Sequence, residues 1–458
     1  MLYQKLLKSR AKCRTMKVKR INFRAGDGQM DWENIADCTM SDYMREADFE
    51  VPEAYRTGYL DVSEHISELS YLTHDYFRYY GKFPSKIAKY IIETLDAEGR
   101  IRPDSDYIFD NYAGSGTSLV EAKLAGYSSA GVDINPFGVL ASKVKTRNYN
   151  VLRLYELLEE LLGRISADDV RGDMQIYADF PGVEKWYEPE TIAQLSSIKR
   201  QILSMPRDSY REFFALGFFA VLRRVSRAHD AEVRPHIDPK KKRRDALAAF
   251  KKKVGEMIYD MVSWNRVTLE GVDSRASLCD NGERPAVFAV TDAMEGESGK
   301  RLGLAVSHPP YLNCFDYVPV YKLEFMWAGG FDEIYGELDH RTVRAKEIRS
   351  YPAAKAGLIN DYFERNLRAS RIVYDCLKPG GYCCMVIGDC TIKQELFPVH
   401  KLFIRGLEVL GYDIDRVIYR STSYGTGRYA YSRRANYTDG PGGKQDAVIF
   451  ARKPGRTA

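Results

Sequence analysis

No run of apolar residues in this chain approaches the roughly 18 that a membrane span requires, so the chain is expected to be soluble. None of its eight cysteines forms a C-x-x-C pair, which argues against a structural zinc and leaves reduced thiols as the expected state. A Gly-Lys-Ser/Thr phosphate loop is missing too. Acid is missing from the first 25 residues, which hold nine Lys or Arg. With no apolar core and no small-residue cleavage site there, a secretory signal is excluded, and the cytoplasm is the expected compartment. Organellar transit peptides share that basic composition, and organellar targeting stays open as the lesser reading.

What is present begins with charge. The net value of +5 says little, but residues 199–253 carry 16 basic and 6 acidic side chains, an excess of ten. Lys240, Lys241, Lys242, Arg243 and Arg244 are its densest part. Such a run is often only a solvated face. Its rival reading is phosphate contact, where Lys and Arg release condensed counterions.

Strand and helix signals alternate over residues 84–134 and again after 285. A helix is expected at about 84–97, a short buried strand at Tyr107–Phe109, a helix at Ser118–Leu124 and a second strand at Ser129–Ile134. Further strands are expected at Ala286–Val290, Leu302–Val306, Tyr382–Ile387, Asp413–Tyr419 and Ala447–Ala451, with helices at about 358–376 and 396–410. Alternation implies a parallel sheet covered on both faces, and the last two strands, lacking a helix between them, an antiparallel hairpin. Helix-like segments without strands fill 151–280. The chain thus divides into an arm (1–70), a first catalytic part (71–150), a helical insertion (151–284) and a second catalytic part (285–458). The arm shows no clear periodicity.

Two motifs carry chemistry. In Asp110-Asn111-Tyr112-Ala113-Gly114-Ser115-Gly116-Thr117 a buried strand runs into a glycine turn that opens a helix, where a ligand can approach backbone without a Cβ in the way. About twenty residues on, the second strand ends in Asp133-Ile134, and a carboxylate at that tip can accept both hydroxyls of a ribose. Position 119 is Leu, so the third glycine of the dinucleotide fingerprint is missing. The second motif, Ser307-His308-Pro309-Pro310-Tyr311, follows an apolar strand. A diproline fixes φ twice, has no N–H and presents carbonyls rigidly. It does so at the strand end where open parallel sheets bind ligands.

Together these motifs resemble amino-methylating DNA methyltransferases. Asp110–Thr117 is similar to that family's cofactor motif, and Ser307–Tyr311 to its catalytic motif. Val290-Thr291-Asp292-Ala293 resembles its third cofactor motif, and Tyr80-Gly81-Lys82-Phe83-Pro84 its tenth. Leu377–Gly381 matches the helix-to-strand turn of class I methyltransferases. The resemblance implies an α/β, Rossmann-like class I methyltransferase sheet, mostly parallel with an antiparallel C-terminal hairpin, and S-adenosyl-L-methionine as cofactor. It implies cofactor contacts from Lys82, Phe83, Asp110, Tyr112, Ala113, Gly114, Ser115, Gly116, Thr117, Asp133, Ile134, Asp292 and Ala293. The alpha-like motif order assigns target recognition to the insertion. Double-stranded DNA is the implied partner, with Arg227, Arg234, Lys240, Lys241, Lys242 and Arg243 as contacts. Arg428, Arg433 and Arg434, among aromatics near the catalytic face, extend that set. Any restriction endonuclease or defence partner would be a separate chain.

One departure matters. His308 stands where the family has Ser for cytosine N4 or Asp/Asn for adenine N6. A neutral imidazole can accept one hydrogen bond, as those side chains do. Cytosine N4 is the favoured target. No Pro-Cys dipeptide occurs, which disfavours the covalent cysteine route to C5-methylcytosine, and no metal is required. Two other readings stay open: an RNA base-amine methyltransferase, and a non-catalytic DNA-binding subunit.

Overall fold

The expected alternation becomes a single eight-stranded sheet in the computed structural model. It describes residues 30, 32, 35–60, 70–165, 182–269, 271–332, 340–355, 357–422, 435 and 444–455. In chain order the strands are β1 (Arg56–Leu60), β2 (Asp106–Asp110), β3 (Ser129–Asp133), β4 (Ser274–Leu278), β5 (Arg301–Ser307) and β6 (Tyr382–Gly388). A separate small hairpin, β7 (Cys390–Ile392) and β8 (Glu395–Phe397), precedes β9 (Asp413–Thr422) and β10 (Lys444–Arg452). The sheet order is β1-β9-β10-β6-β5-β2-β3-β4. Only β10 is antiparallel to its neighbours, β6 and β9. Leaving β1 aside, the order is that of the Rossmann-like class I methyltransferase sheet, hairpin included.

Helices cover both faces, so the central strands are largely buried, and all seven residues of β6 are. On one face lie α1 (Ser85–Ala97), α2 (Thr117–Leu124) and α3 (Pro136–Thr146). On the other lie α8 (Arg284–Ser298), α10 (Leu358–Cys376) and α11 (Val399–Val409), while α9 (His340–Lys346) follows the catalytic motif. Side-chain alternation separates the two cores. Ile108 and Leu304 pack with Ile87 and Ile91 of α1, whereas Phe109 and Ala305 pack with Val287, Tyr362 and Leu402.

Between α3 and β4 the chain forms α4 (Val151–Arg164), α5 (Pro189–Leu203), α6 (Ser209–Val225) and α7 (Ala246–Val267). Helix α6 is apolar almost all round, and its Phe213, Phe214, Phe218 and Phe219 are buried, so the other helices wrap it. No helix among the described residues is long and apolar enough to cross a membrane.

Three expectations change. The apolar run Ala286–Val290 is helical, as the first half of α8: Pro285 stands in its first turn, and its buried residues Val287, Thr291 and Met294 recur at helical spacing. The strand that follows β3 in the sheet is instead β4, inside the segment read as insertion, whose helices end at Val267. The arm, which shows no clear periodicity in sequence, holds a strand. Its β1 extends the sheet, parallel to β9, pairing Arg56 with Val417 and Leu60 with Arg420.

Candidate active site

Strand β2 delivers the glycine turn. Its last residue, Asp110, is buried and accepts hydrogen bonds from Ser118 Oγ of α2 and, at 2.8 Å, from the Tyr112 amide. Burial pushes its carboxyl up to about 7 in spite of both. The chain can turn because Gly114 and Gly116 adopt left-handed φ values of +50° and +74°. A Cβ at Gly116 would stand 2.9 Å from Ser142 Cα, which is backbone and cannot retreat. Asp133, at the tip of β3, accepts from the amides of Gly114 and Asn135, both at 2.8 Å, and so ties the two strand tips together. Burial raises Asp133 to about 6, against the pull of those N–H groups.

The tenth-motif residues lie alongside. Lys82 donates to the His74 carbonyl at 2.8 Å, and burial lowers its ammonium to about 8. Phe83 stacks on the His308 ring, with centroids 4.9 Å apart and planes at 28°. Thus the element expected on the cofactor directly touches the catalytic motif.

At the tip of β5, His308 and Pro310 face the same cleft as Gly114, Asp133 and Lys82, and that cleft opens to solvent. The Pro310 carbonyl accepts from Tyr362 Oη at 2.7 Å. Ser307, expected among the catalytic residues, is buried and off the cleft wall, because strand alternation turns it away from His308. Pro309 is also buried and off the wall. Tyr311 reaches the cleft only through His308, whose ring it meets at 5.2 Å and 58°, so it backs the histidine and does not line the site.

Asp292 and Ala293 are corrected as well. Both are exposed on α8, away from the cleft. The residues that line it from the strand after β3 are Asp280 and Asn281, just past β4, and Asn281 donates to the Asn111 carbonyl at 2.9 Å. The polar sequence of β4, Ser274-Arg275-Ala276-Ser277-Leu278, hid that strand.

Sequence reasoning missed others. Tyr79 lies against Gly114 and stacks on Tyr317 at 5.8 Å, and both rings line the cleft. Glu347 caps the chain after the catalytic motif by accepting from the amides of Tyr317 and Val318, and it is held by Arg344 at 2.7 Å. Asn111 is 2% exposed and lines the cleft, yet neither atom of its amide has a hydrogen bond among the described residues.

The expected DNA contacts divide. Arg234, Lys240, Lys242 and Arg243 are exposed; Arg243 pairs with Glu190 and the half-buried Arg227 with Glu188. Arg234 also lies 5.6 Å over the Tyr351 ring, which places this basic loop against the chain that follows the catalytic tip. Lys241 is different. Its side chain is 6% exposed, and its ammonium donates to Asp230 Oδ1, the Ala228 carbonyl and the Arg223 carbonyl at 2.7, 2.6 and 2.9 Å. All three protons are spent on the loop and the end of α6, so Lys241 is a structural residue. Arg428, Arg433 and Arg434 lie outside the described residues.

No family model matches the chain. It is 31% identical over 166 residues to the Type II methyltransferase M.MvaI of Kocuria varians, a stretch covering 35% of this chain and 36% of that protein. It is 33% identical over 91 residues to the Type II methyltransferase M.MjaII of Methanocaldococcus jannaschii, covering 20% of this chain and 16% of that protein. The matches thus span about a third and about a sixth of those relatives. Among solved structures, the rRNA methyltransferase aviRa from Streptomyces viridochromogenes aligns over 81% of this chain and 85% of its own. At 12% identity and a TM-score of 0.27 that likeness carries no argument.

Proposed function

We propose that this cleft transfers a methyl group from S-adenosylmethionine to the exocyclic amine of a base flipped out of double-stranded DNA, cytosine N4 in preference to adenine N6. One observation carries the proposal: the glycine turn, Asp133 and the His308–Pro310 tip all face one cleft across the neighbouring tips of β3, β2 and β5. Partial similarity to two Type II methyltransferases supports it.

The residues present fit the cofactor. Asp133 offers carboxylate oxygens to a ribose, Asp280 an acceptor to an adenine amine, and Lys82 a cation to a carboxylate, while the glycine turn and the Tyr79 ring packed on it line the same cleft. When bound, S-adenosylmethionine supplies an electrophilic methyl group on a sulfonium. The chain itself has to position the amine. A base amine is a weak nucleophile because its lone pair is delocalised into the ring. With the His308 imidazole at the cleft wall accepting one amine proton, nitrogen is drawn toward sp³ geometry. The imidazole is then the base at hand for the proton that leaves. Orientation alone can supply about 7–11 kcal/mol. Flipping is required because the amine of a stacked, paired base cannot reach the floor of a cleft between strand tips. An uncharged acceptor at position 308 is closer to Ser than to Asp, and this favours cytosine.

Labelled cofactor, duplex DNA and tRNA, followed by digestion to nucleosides, test the reading. N4-methylcytosine from duplex DNA is expected, and His308→Ala is expected to lower kcat by at least about 100-fold with cofactor affinity unchanged. Label in tRNA alone would select the RNA reading. Cofactor binding without transfer to any nucleic acid would reject an enzyme.

A further inference from the structure

We infer that Tyr362 and Asn366 of α10 form a clamp that holds the cofactor turn and the catalytic tip in register, so that filling one half of the cleft prepares the other. The inference rests on the function proposed above.

Three hydrogen bonds, joined through the body of Tyr362, link the two half-sites. Tyr112 Oη, in the glycine turn, donates to Asn366 Oδ1 at 2.6 Å. Asn366 Nδ2 donates to the Tyr362 carbonyl at 2.7 Å. Tyr362 Oη then donates to the Pro310 carbonyl at 2.7 Å. Only one orientation of the Asn366 amide satisfies both of its partners, so the direction of the chain is fixed. Residues 362 and 366 stand one helical turn apart, on the same face of α10, and both are fully buried. The two ends of the chain, Tyr112 and Pro310, both line the cleft.

Pro310 is where such a hold must act. A diproline offers no N–H, so its carbonyls are the only backbone handles on the tip. With φ fixed at both prolines, tying the Pro310 carbonyl limits the rotation left to the tip that carries His308. At the other end Tyr112 is only half-buried, so a ligand pressing on its ring meets a side chain anchored to the same helix. Simple satisfaction of buried polar groups would give the same three bonds but would show only in stability. Coupling between the sites separates the two roles. It must also be reciprocal, cofactor tightening DNA by the factor by which DNA tightens cofactor.

The test uses the full chain, Tyr362→Phe, Tyr112→Phe and Asn366→Asp, with S-adenosylhomocysteine as the non-reacting cofactor probe. In wild type the probe is expected to tighten duplex DNA by about 10-fold, within the ordinary range of coupling. Each Phe variant removes one hydroxyl and should reduce that factor below about 2-fold. Tyr362→Phe should lower kcat by about 10-fold with the cofactor KM held, and Tyr112→Phe should raise the cofactor KM. Asn366→Asp keeps the acceptor for Tyr112 but loses the donor to Tyr362, so cofactor affinity should survive while coupling does not. Variants that melt lower yet keep wild-type coupling and kcat would overturn the clamp, as would a wild-type enzyme whose DNA affinity ignores the probe. A wild-type chain that transfers no methyl group overturns the functional reading itself, which the same assay separates from a clamp that fails in an active enzyme.

Discussion

Among single residues, Asn111 is the one whose placement makes least sense without a ligand. Leaving a buried polar group unpaired costs about 1–3 kcal/mol. Asn111→Leu should therefore stabilise the ligand-free protein by up to about that amount while weakening whatever the cleft binds. Paired urea melts and cofactor titrations check this, and a variant that is less stable but binds normally would contradict it. Two neighbours set a pH window. Asp133 is raised to about 6 by burial, and it accepts from ribose hydroxyls best when ionised, so cofactor affinity should fall as pH drops through 6. Lys82 is lowered to about 8 and offers a charge only when protonated, so affinity should also fall as pH rises through 8. Asp133→Asn should flatten the acid limb alone and Lys82→Met the alkaline limb alone, as followed by calorimetry across pH. At this scale much was legible. Glycines, a strand-tip acid and a diproline need particular backbone shapes and announce them. What was not legible is which way a side chain points once folded, as with Ser307 buried behind the wall and Tyr311 backing His308.

Elements were legible where local pattern and long-range packing agree, as in β5, β6 and α10. They were misread where the two conflict. Five apolar residues at 286–290 have strand composition, but Pro285 and the burial of Val287, Thr291 and Met294 belong to a helix. Strand β4 is mostly polar and β1 contains Gly58; each owes its existence to a neighbour already in the sheet, β3 and β9. The same distinction divides the basic loop. Lys240 and Lys242 are exposed, while Lys241 between them supplies three internal hydrogen bonds. Lys240→Ala and Lys242→Ala should leave the melting temperature unchanged. If each contacts a phosphate, each should reduce the slope of log K against log salt by about 0.9. Lys241→Ala should instead lower the melting temperature, since it removes a nearly buried ammonium that donates to the Arg223 and Ala228 carbonyls and to Asp230. Salt titrations of duplex binding beside thermal melts distinguish the three, and equal behaviour of all of them would dissolve the distinction.

Seen whole, the chain is less divisible than its sequence suggests. The break in alternation near residue 150 reads as a boundary, because periodicity reports an element's own face and not what that face meets. In the folded chain one hydrophobic cluster joins Phe137, Leu140 and Val144 of α3 to Phe213 and Phe219 of α6 and to Val254 and Met257 of α7. Phe137 and Phe219 meet at 5.0 Å, Tyr76 Oη donates to the Met257 carbonyl at 2.6 Å, and Trp264 Nε1 donates to the Arg147 carbonyl at 3.0 Å. Helix α3 begins three residues after Asp133, so the insertion's core also supports the cofactor half of the cleft. Unfolding the insertion must strip α3 of its apolar cover, and the sheet cannot keep its cofactor face without it. Calorimetric unfolding should therefore show the insertion and the sheet melting in one transition. Cofactor at 100 times its Kd should stabilise that whole transition by about 2.7 kcal/mol. Two resolved transitions, with cofactor moving only one, would mean that the shared cluster does not couple them. Removal of residues 151–268 would then be expected to leave a catalytic part that still binds cofactor, whereas with the coupling described here that deletion abolishes binding.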